Sequence, residues 1–277
     1  MGRIFTSFVL VLVLFPVCTF AFEGAGITGS RSAAMGRASV SLTDFWSIQN
    51  NPAGMAMQEQ IAAGVYYENR FLVPELSLKS AALIVPANFG VLGLSFNQFG
   101  YSLYNENKLG LAYARSFGPL LRIGLQLDYL STRFGGGYEG KDNVTFELGV
   151  QSEISEKVIL GAFIFNPVKA RLSDYTDERL PVIMRFGLTY LMSDKLIGIA
   201  EVEKNFDLDP SLRFGMEYAI TETFYARAGL ATNPGLFTFG AGLVLQNLHL
   251  DISASMHQVL GVSAQAGLIY RFGKLIK

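Results

Sequence analysis

Apolar and polar residues alternate with a period of two along most of the chain. In Leu120–Leu130, one set of alternate positions is apolar and the other is small or polar: Ile123, Leu125, Leu127 and Tyr129 against Arg122, Gly124, Gln126 and Asp128. Because side chains on a strand point alternately to its two faces, one face suits lipid and the other suits a polar interior. We count fourteen such segments between Gln60 and Phe272.

The connections between these segments are alternately short and long. The predicted short turns are Pro86–Asn88, Phe117–Pro119, Ser155–Lys157, Ser193–Asp194, Thr221–Glu222 and Gln246–Asn247. The predicted loops are Asn69–Glu75, Gln98–Asn107, Arg133–Asn143, Asn166–Leu180, Asn205–Pro210, Thr232–Gly235 and His257–Gln258. Short periplasmic turns and longer outer loops are typical of transmembrane β-barrels. The pattern therefore predicts an all-β, 14-stranded antiparallel barrel in a Gram-negative outer membrane, with both barrel ends in the periplasm.

The hydrophobic content narrows the fold classes that fit the sequence. Half of the residues are hydrophobic, yet after Phe22 no apolar run approaches the roughly 20 residues that a membrane helix needs. A helical membrane protein is therefore excluded. A soluble β-sandwich remains the alternative, because its strands also alternate, although it seldom needs so many strands of nearly equal length.

The first 21 residues are predicted to be a signal peptide. Arg3 supplies the positive start, Ile4–Val17 is largely apolar, and Thr19 and Ala21 are small residues at the positions that signal peptidase reads. We expect cleavage after Ala21. Cys18 is the only cysteine, so the mature chain would have no disulfide; alternatively, Cys18 could be a lipidated first residue.

Charged residues recur on the face predicted to line the barrel interior. The chain has 22 Lys and Arg against 23 Asp and Glu, a balance that does not favour nucleic acid. An Arg or Lys facing lipid at mid-membrane costs about 2–4 kcal/mol, so these charges should point inward. They are Arg122, Asp128, Glu147, Arg185, Glu201, Arg213, Glu217, Arg227, Asp251 and Arg271. They could form a lattice of ion pairs that stiffens the barrel, or a specific binding site.

The last predicted strand contains a second targeting signal, besides the signal peptide. Gln265–Phe272 resembles the C-terminal signal by which bacterial outer-membrane barrels are recognised for insertion, with a polar residue, then Gly267, then aromatic residues at alternate positions. The expected partners are thus the barrel-insertion machinery and outer-membrane lipid.

The stretch from Phe22 to Met57 does not alternate. Its residues Gly29–Asp44, followed by Asn51-Pro52-Ala53-Gly54, resemble the N-terminal signature of the FadL-like outer-membrane transporter superfamily, and within it the Bacteroidetes PorV/PorQ branch. The resemblance implies a 14-stranded barrel plugged from the periplasmic side by an N-terminal hatch that carries the Asn-Pro-Ala motif. The domain plan is then signal peptide 1–21, hatch 22–57 and barrel 58–277.

Barrel size supports a plug independently of the resemblance. Eight strands enclose a space that side chains fill, whereas sixteen or more leave an aqueous channel, so fourteen strands would leak unless something occupied the interior. Residues 22–57 are the segment free to do so. By itself, Asn51–Gly54 could equally be a simple turn before the first strand.

One sector of the barrel wall is predicted to be apolar on both faces. Ile197 and Ile199 share the inner face with Glu201 and Glu203, and Val158–Phe165 and Ala81–Val85 have the same character. Such a wall suits a path for hydrophobic molecules better than a water-filled pore. The alternative is that Ile197 and Ile199 pack against the hatch.

The sequence gives little support to an enzymatic function. The chain has two histidines, His249 and His257. A catalytic triad could be sought in His249, Asp251 and Ser253, which share one face of a strand. Alternate residues of a strand are about 6.6–6.8 Å apart, however, which is beyond hydrogen-bond reach. We expect no cofactor and no metal site, because no cysteine–histidine cluster occurs.

The predicted function is admission of hydrophobic, fatty-acid-like small molecules past the hatch. The alternative is a non-transporting, PorV/PorQ-like barrel that docks proteins in type IX secretion.

Overall fold

Antiparallel strands close into a single barrel in the computed structural model, which describes residues 26–118, 120–135, 140–170 and 179–273. The fourteen strands of this part of the chain are β1 (Ile61–Asn69), β2 (Ser77–Ala87), β3 (Gly90–Tyr101), β4 (Tyr104–Phe117), β5 (Leu121–Phe134), β6 (Lys141–Ser155), β7 (Val158–Phe165), β8 (Ile183–Ser193), β9 (Leu196–Asn205), β10 (Ser211–Ala219), β11 (Phe224–Ala231), β12 (Leu236–Leu245), β13 (Leu248–His257) and β14 (Gly261–Phe272). Each strand pairs with its sequence neighbours, and β1 pairs with β14, with Ile61 opposite Phe272. The predicted fold class is confirmed.

The two faces of the strands follow the predicted alternation. On β5, Leu125 and Leu127 are exposed on the outside, whereas Gln126 and Asp128 are fully buried inside. Across the ladder, Leu127 lies opposite Leu111, another exposed leucine. An outer surface built from such side chains belongs in lipid, because water would not solvate it.

The apolar outer surface is limited at both ends. On β2–β6 the outward residues turn polar toward one rim, where a row of residues lies side by side in register: Lys79, Gln98, Asn107, Ser131 and Asp142. Toward the other rim the exposed residues include many aromatics: Phe89, Tyr113, Phe117, Tyr190, Tyr218, Phe224, Tyr270 and Phe272. Aromatic side chains at the edge of an apolar band are typical of membrane-embedded barrels.

The two rims differ in the length of their connections. At one rim, which we call the short-turn rim, strands are joined by residues 88–89, 118–120, 156–157, 194–195, 220–223 and 246–247. At the other, the long-loop rim, the connections are residues 70–76, 102–103, 135–140, 166–182, 206–210, 232–235 and 258–260. Both β1 and β14 meet the short-turn rim, where Ile61 faces Phe272.

Two predicted loops are wrong in length. The predicted loop Gln98–Asn107 is a two-residue connection, because β3 continues to Tyr101 and β4 begins at Tyr104. The predicted loop Arg133–Asn143 is also shorter, with strand structure at both of its ends. Polar residues suggested loops there, but they continue the ladder beyond the apolar band. These strands are long: β4, β5 and β6 have 14, 14 and 15 residues.

The part of the chain before β1 that the structure describes lies inside the barrel. This N-terminal segment, residues 26–57, contains α1 (Ser30–Ala34), α2 (Ser47–Asn50) and a 3₁₀ helix (Pro52–Met57). α1 contacts β11–β14, and the 3₁₀ helix contacts β3–β6 on the opposite side. The main hydrophobic core is therefore the layer between this segment and the inner wall.

Some predictions fall on residues that the structure does not describe. The signal peptide, residues 1–21 with Cys18, lies outside the described residues, as do the ends of the chain beyond Gly273. Among the helices of residues 26–273 that are described, none is long and apolar enough to cross a membrane.

The strand faces generate a test of the membrane-embedded surface. Leu111→Arg, at an exposed outward position near the middle of β4, should lower the free energy of unfolding by about 2–4 kcal/mol, because it places a charge in lipid. Asn107→Arg, outward on the same strand but in the polar row, should cost no more than about 1 kcal/mol. Urea unfolding in lipid vesicles measures both. Equal losses would contradict the assigned outer surface.

Candidate functional site

Wall glycines bring the N-terminal segment and the barrel wall into direct backbone contact. An added Cβ at any of several inward-facing glycines would overlap the segment: at Gly149 it would lie 1.9 Å from Asn51 Oδ1, at Gly124 2.3 Å from Ala53 N, at Gly161 2.2 Å from Val40 O, and at Gly229 2.1 Å from Gly36 N. Any larger residue at these positions would have to displace the segment. We call this set of wall glycines the glycine cradle.

The contact is equally tight from the segment's side near α1. Gly36 adopts a left-handed φ of 66°, and a Cβ there would lie 2.4 Å from Leu230 O. One wall hydroxyl serves two backbone groups of the segment: Thr238 Oγ1 accepts from Gly36 N and donates to Ala34 O, both at 2.8 Å. The Gly36 N–H and the Ala34 carbonyl, both buried, are thereby hydrogen-bonded to the wall.

The Asn51-Pro52-Ala53-Gly54 motif lies fully buried in this interface. Asn51 Nδ2 donates to Val40 O at 2.6 Å and also reaches the wall carbonyls of Val150 at 3.4 Å and Ala162 at 3.3 Å. Its Oδ1 accepts from Ala53 N at 3.2 Å and so caps the 3₁₀ helix. Asn51 is the N-cap of the 3₁₀ helix that Pro52 begins, and its side chain also joins two parts of the segment to the wall.

Large apolar side chains secure the C-terminal part of the segment. Phe45, Trp46, Ile48 and Met55 are buried against inward residues of β1–β4 and β14. The rings of Phe45 and Trp46 meet edge to face at 5.0 Å. The inward wall residues of this cluster are Ala62, Tyr66, Leu78, Ala82, Ile84, Val91, Phe99, Ala112, Ala114 and Ile269. This contact removes much apolar surface from water.

The ten predicted interior charges all lie on the inner face, and most are paired. Arg227 contacts Glu217 and Asp251 at 2.5 Å each, and Arg213 contacts Glu201 at 3.1 Å. The others pair with residues outside that set: Arg122 with Glu153, Arg185 with Glu203, and Glu147 and Asp128 with Lys108. Arg271 lies partly exposed at the short-turn rim, opposite Ala62.

Sequence reasoning missed the charges that the segment itself contributes. Arg31 donates two hydrogen bonds to Glu217, at 2.7 and 2.8 Å, and lies 3.3 Å from Asp44. Arg37 pairs with the buried Glu68 of β1. Because the segment is not a strand, no periodicity indicated where these arginines point. Glu68 was detectable, since it continues the inner face of β1 after Tyr66.

A wall carboxylate also holds the segment through its backbone. Glu201 Oε2 accepts from Ser39 N and from Val40 N, both at 2.7 Å. Its other oxygen accepts from Arg213, which in turn donates to Arg37 O at 3.3 Å. Charge-assisted hydrogen bonds in a water-poor interior are strong, so this carboxylate fixes the centre of the segment.

Burial changes the protonation chemistry of the segment's own charges. Burial raises the pKa of Asp44 above its usual value, although nearby Arg31 opposes the change. For Arg31, burial is the largest influence and acts to lower the pKa, but Glu217 and Asp44 together raise it above the ordinary value. Arg31 therefore stays charged at its position between the two carboxyl groups.

The predicted path residues are covered by the segment. Ile199 is buried with Met35, Ala38 and Leu42, and Ile197 packs against the same cluster. This is the packing arrangement that the sequence left as an alternative. The predicted apolar sector at Val158–Phe165 behaves similarly, since Phe163 and Phe165 pack with Val40 of the segment.

One cavity opens at the long-loop rim, above the segment. It has a volume of about 290 Å³, and its lining includes Ile27, Arg37, Arg70, Phe71 and His257. His257 Nδ1 accepts two backbone N–H groups of the following turn at 3.1 Å, a structural role. Within the described ranges, no group of three or more His, Cys, Asp or Glu residues could hold a metal ion.

Comparison with known proteins identifies the fold. No protein-family model matches the sequence, and no curated protein matches it. Among solved structures, the Pseudomonas putida toluene transporter TodX superposes with a TM-score of 0.68 at 12% identity, over 91% of this chain and 100% of that one. A Pseudomonas aeruginosa FadL homologue gives 0.62 at 14% identity, over 88% and 97%. At these identities the likeness establishes a shared barrel architecture.

The glycine cradle generates a test of the interface. Gly149→Ala should lower the free energy of unfolding by about 1–3 kcal/mol, because the new methyl overlaps the bonded Asn51 side chain. Gly267→Ala, also inward-facing but with its nearest atom at 3.3 Å, is the matched control and should cost less. Urea unfolding of the refolded protein compares the two. Similar losses at both positions would argue against a glycine requirement at the cradle.

Proposed function

We propose that this protein is an outer-membrane channel for hydrophobic small molecules, with the N-terminal segment as its plug. The observation that carries the proposal is the apolar inner wall beneath the segment. Ile199, Phe163 and Phe165 face inward, and Val40, Met35 and Leu42 of the segment cover them. Moving the segment would uncover an apolar surface along the barrel interior, which a water-filled pore for polar solutes does not need.

The orientation and domain plan belong to the same proposal. Residues 1–21 would direct export, residues 22–57 would form the hatch, and residues 58–277 would form the barrel. The short-turn rim would face the periplasm, with Gln265–Phe272 as the insertion signal. The cavity at the long-loop rim would then be the outer vestibule, bounded below by Ile27 and Arg37.

The solved relatives support the substrate class. TodX is described as a toluene transporter and as a monoaromatic hydrocarbon channel. A shared architecture combined with an apolar inner wall makes a hydrophobic solute the best-supported cargo for this chain. A fatty-acid-like molecule is the form that the sequence resemblance implies.

A docking role is the second candidate. Exposed hydrophobic side chains stand at the long-loop rim, among them Leu72, Leu103, Phe206 and Val259, of which Val259 is 84% exposed. A closed, filled barrel with such a rim would suit a PorV/PorQ-like protein that docks partners without transport. Transport measurements separate the two functions.

The plug generates a conductance test. Deleting residues Gly29–Gly54 should leave a folded barrel, since closure pairs every strand with two neighbours, but should raise ion conductance in planar bilayers. Folding is checked first by heat-dependent gel mobility. A folded deletion variant with the low conductance of the intact protein would argue against the plug.

Solute uptake tests the cargo. Cells that make the protein should take up toluene or a fluorescent fatty acid faster than cells without it, because the apolar interior lowers the barrier for such molecules. The control is the same strain making Gly267→Ala at equal surface level, which should take up the solute as fast as the unchanged protein, because the added methyl meets no atom closer than 3.3 Å. No uptake above the empty strain would leave the docking role as the better account.

A further inference from the structure

The N-terminal segment is held to the barrel in two chemically different ways. Residues 28–40, which we call the arm, contact the wall through Arg31, Arg37 and backbone groups, and they also bury Met35, Ala38 and Val40 against it. Residues 45–57, which we call the anchor, contact it through Phe45, Trp46 and other large apolar side chains. The arm lies mainly against β9–β14 and β1, with Val40 also against β7 and β8, and the anchor lies mainly against β1–β6.

Each wall carboxylate that binds the arm also has an arginine of the wall as a partner. Glu217 contacts Arg227 at 2.5 Å, and Glu201 contacts Arg213 at 3.1 Å. Glu68 lies 3.5 Å from Arg70 at the end of β1. Removing one member of a buried ion pair is strongly unfavourable when the other charge is left alone. Here the departure of the arm would leave none of these three carboxylates alone.

The arm's own charges can also be accommodated. Arg31 and Arg37 are each partly exposed already, and Arg37 lines the cavity at the long-loop rim, so movement toward that cavity would place its guanidinium in water. The arm's hydrogen bonds to the anchor are neutral: Asn50 Oδ1 accepts from Thr28 N at 3.0 Å, and Asn51 Nδ2 donates to Val40 O at 2.6 Å. Neutral hydrogen bonds contribute less to stability than charged ones.

The anchor has no comparable route to release. Phe45, Trp46, Ile48 and Met55 would enter water together if it left the wall, and they carry more apolar surface than Met35, Ala38 and Val40 of the arm. The 3₁₀ helix Pro52–Met57 is also joined to β1 by only Gln58, Glu59 and Gln60. The anchor is thus fixed by both packing and chain connection.

We infer that the arm is a releasable latch and the anchor is a fixed seat, so that the plug opens by detachment of residues 28–40 alone. Opening uncovers the inner wall of β9–β12, including Ile197 and Ile199, while Asn51–Gly54 stays in the glycine cradle. The inference rests on the proposed plug function, and it specifies which half of the plug moves and which wall the passage follows.

Paired cysteine reporters test the latch. Ser39 in the arm and Ser47 in the anchor are both about 1% exposed, so S39C and S47C are matched sites. Each is placed in protein made without residues 1–21, whose remaining sequence has no cysteine. The measurement is the rate of maleimide labelling in detergent micelles, with and without E68Q and E217Q together.

The latch predicts an asymmetric result. Labelling of S39C should accelerate about tenfold or more when Glu68 and Glu217 are neutralised, since charge-assisted hydrogen bonds contribute at least that factor to a local opening. Labelling of S47C should not change. Glu153→Gln is the control, because Glu153 pairs with Arg122 of the wall and should affect neither site.

A second variant guards against misfolding. R31M with R37M leaves every wall pair intact and should give the same selective acceleration at S39C. Acceleration at both cysteines, or at neither, in folded protein overturns the latch.

Solute uptake is measured separately. Fast S39C labelling without solute uptake supports the latch and rejects the proposed transport. Uptake with equal labelling at both cysteines rejects the latch alone.

Discussion

The structure depends on one geometric constraint: a closed sheet of fourteen strands encloses more space than its own inward side chains fill. Closure satisfies the backbone hydrogen bonds of the wall, but it leaves an interior that must hold either water or protein. This chain fills it with residues from its own N-terminus. Most other features follow from that solution, including the glycines of the wall, the pairing of interior charges and the burial of a short helical segment without strands.

The interior combines two kinds of contact between the segment and the wall. Apolar packing dominates where Trp46 and Phe45 meet the wall, and ion pairs dominate where Arg31 and Arg37 meet it. Apolar contact is strong but indifferent to orientation, whereas buried charges penalise every arrangement except the paired one. The first gives the segment its affinity for the wall, and the second gives it a single position.

The fold was largely predictable from sequence, because few architectures besides a closed sheet repeat a period of two over so many short segments. The alternation in β5 and β10 located the outer and inner faces, and Ile61 and Phe272 bound the barrel where the pattern begins and ends. The connection between β3 and β4 was mispredicted, because Asn105 and Asn107 are polar and yet belong to a strand.

The interface was less predictable, because it is made by residues with no periodic pattern. Nothing in the sequence alone indicates that Arg31 reaches Glu217 or that Gly149 lies against Asn51, residues far apart along the chain. The inner charges could be assigned to a face but not to partners. Ile199 could be placed inward, whereas its contact with Met35 required three-dimensional structure.

The close contact between the glycine cradle and the N-terminal segment bears on the order in which the barrel folds. A segment whose backbone touches the wall at Gly124, Gly161 and Gly229 has no clearance in which to slide past those strands. The seam between β1 and β14 is the one strand pairing of this barrel that does not join neighbours in sequence. The segment precedes β1 and is available throughout. Wrapping the sheet around it, with the seam closing last, avoids threading a folded segment through a finished barrel.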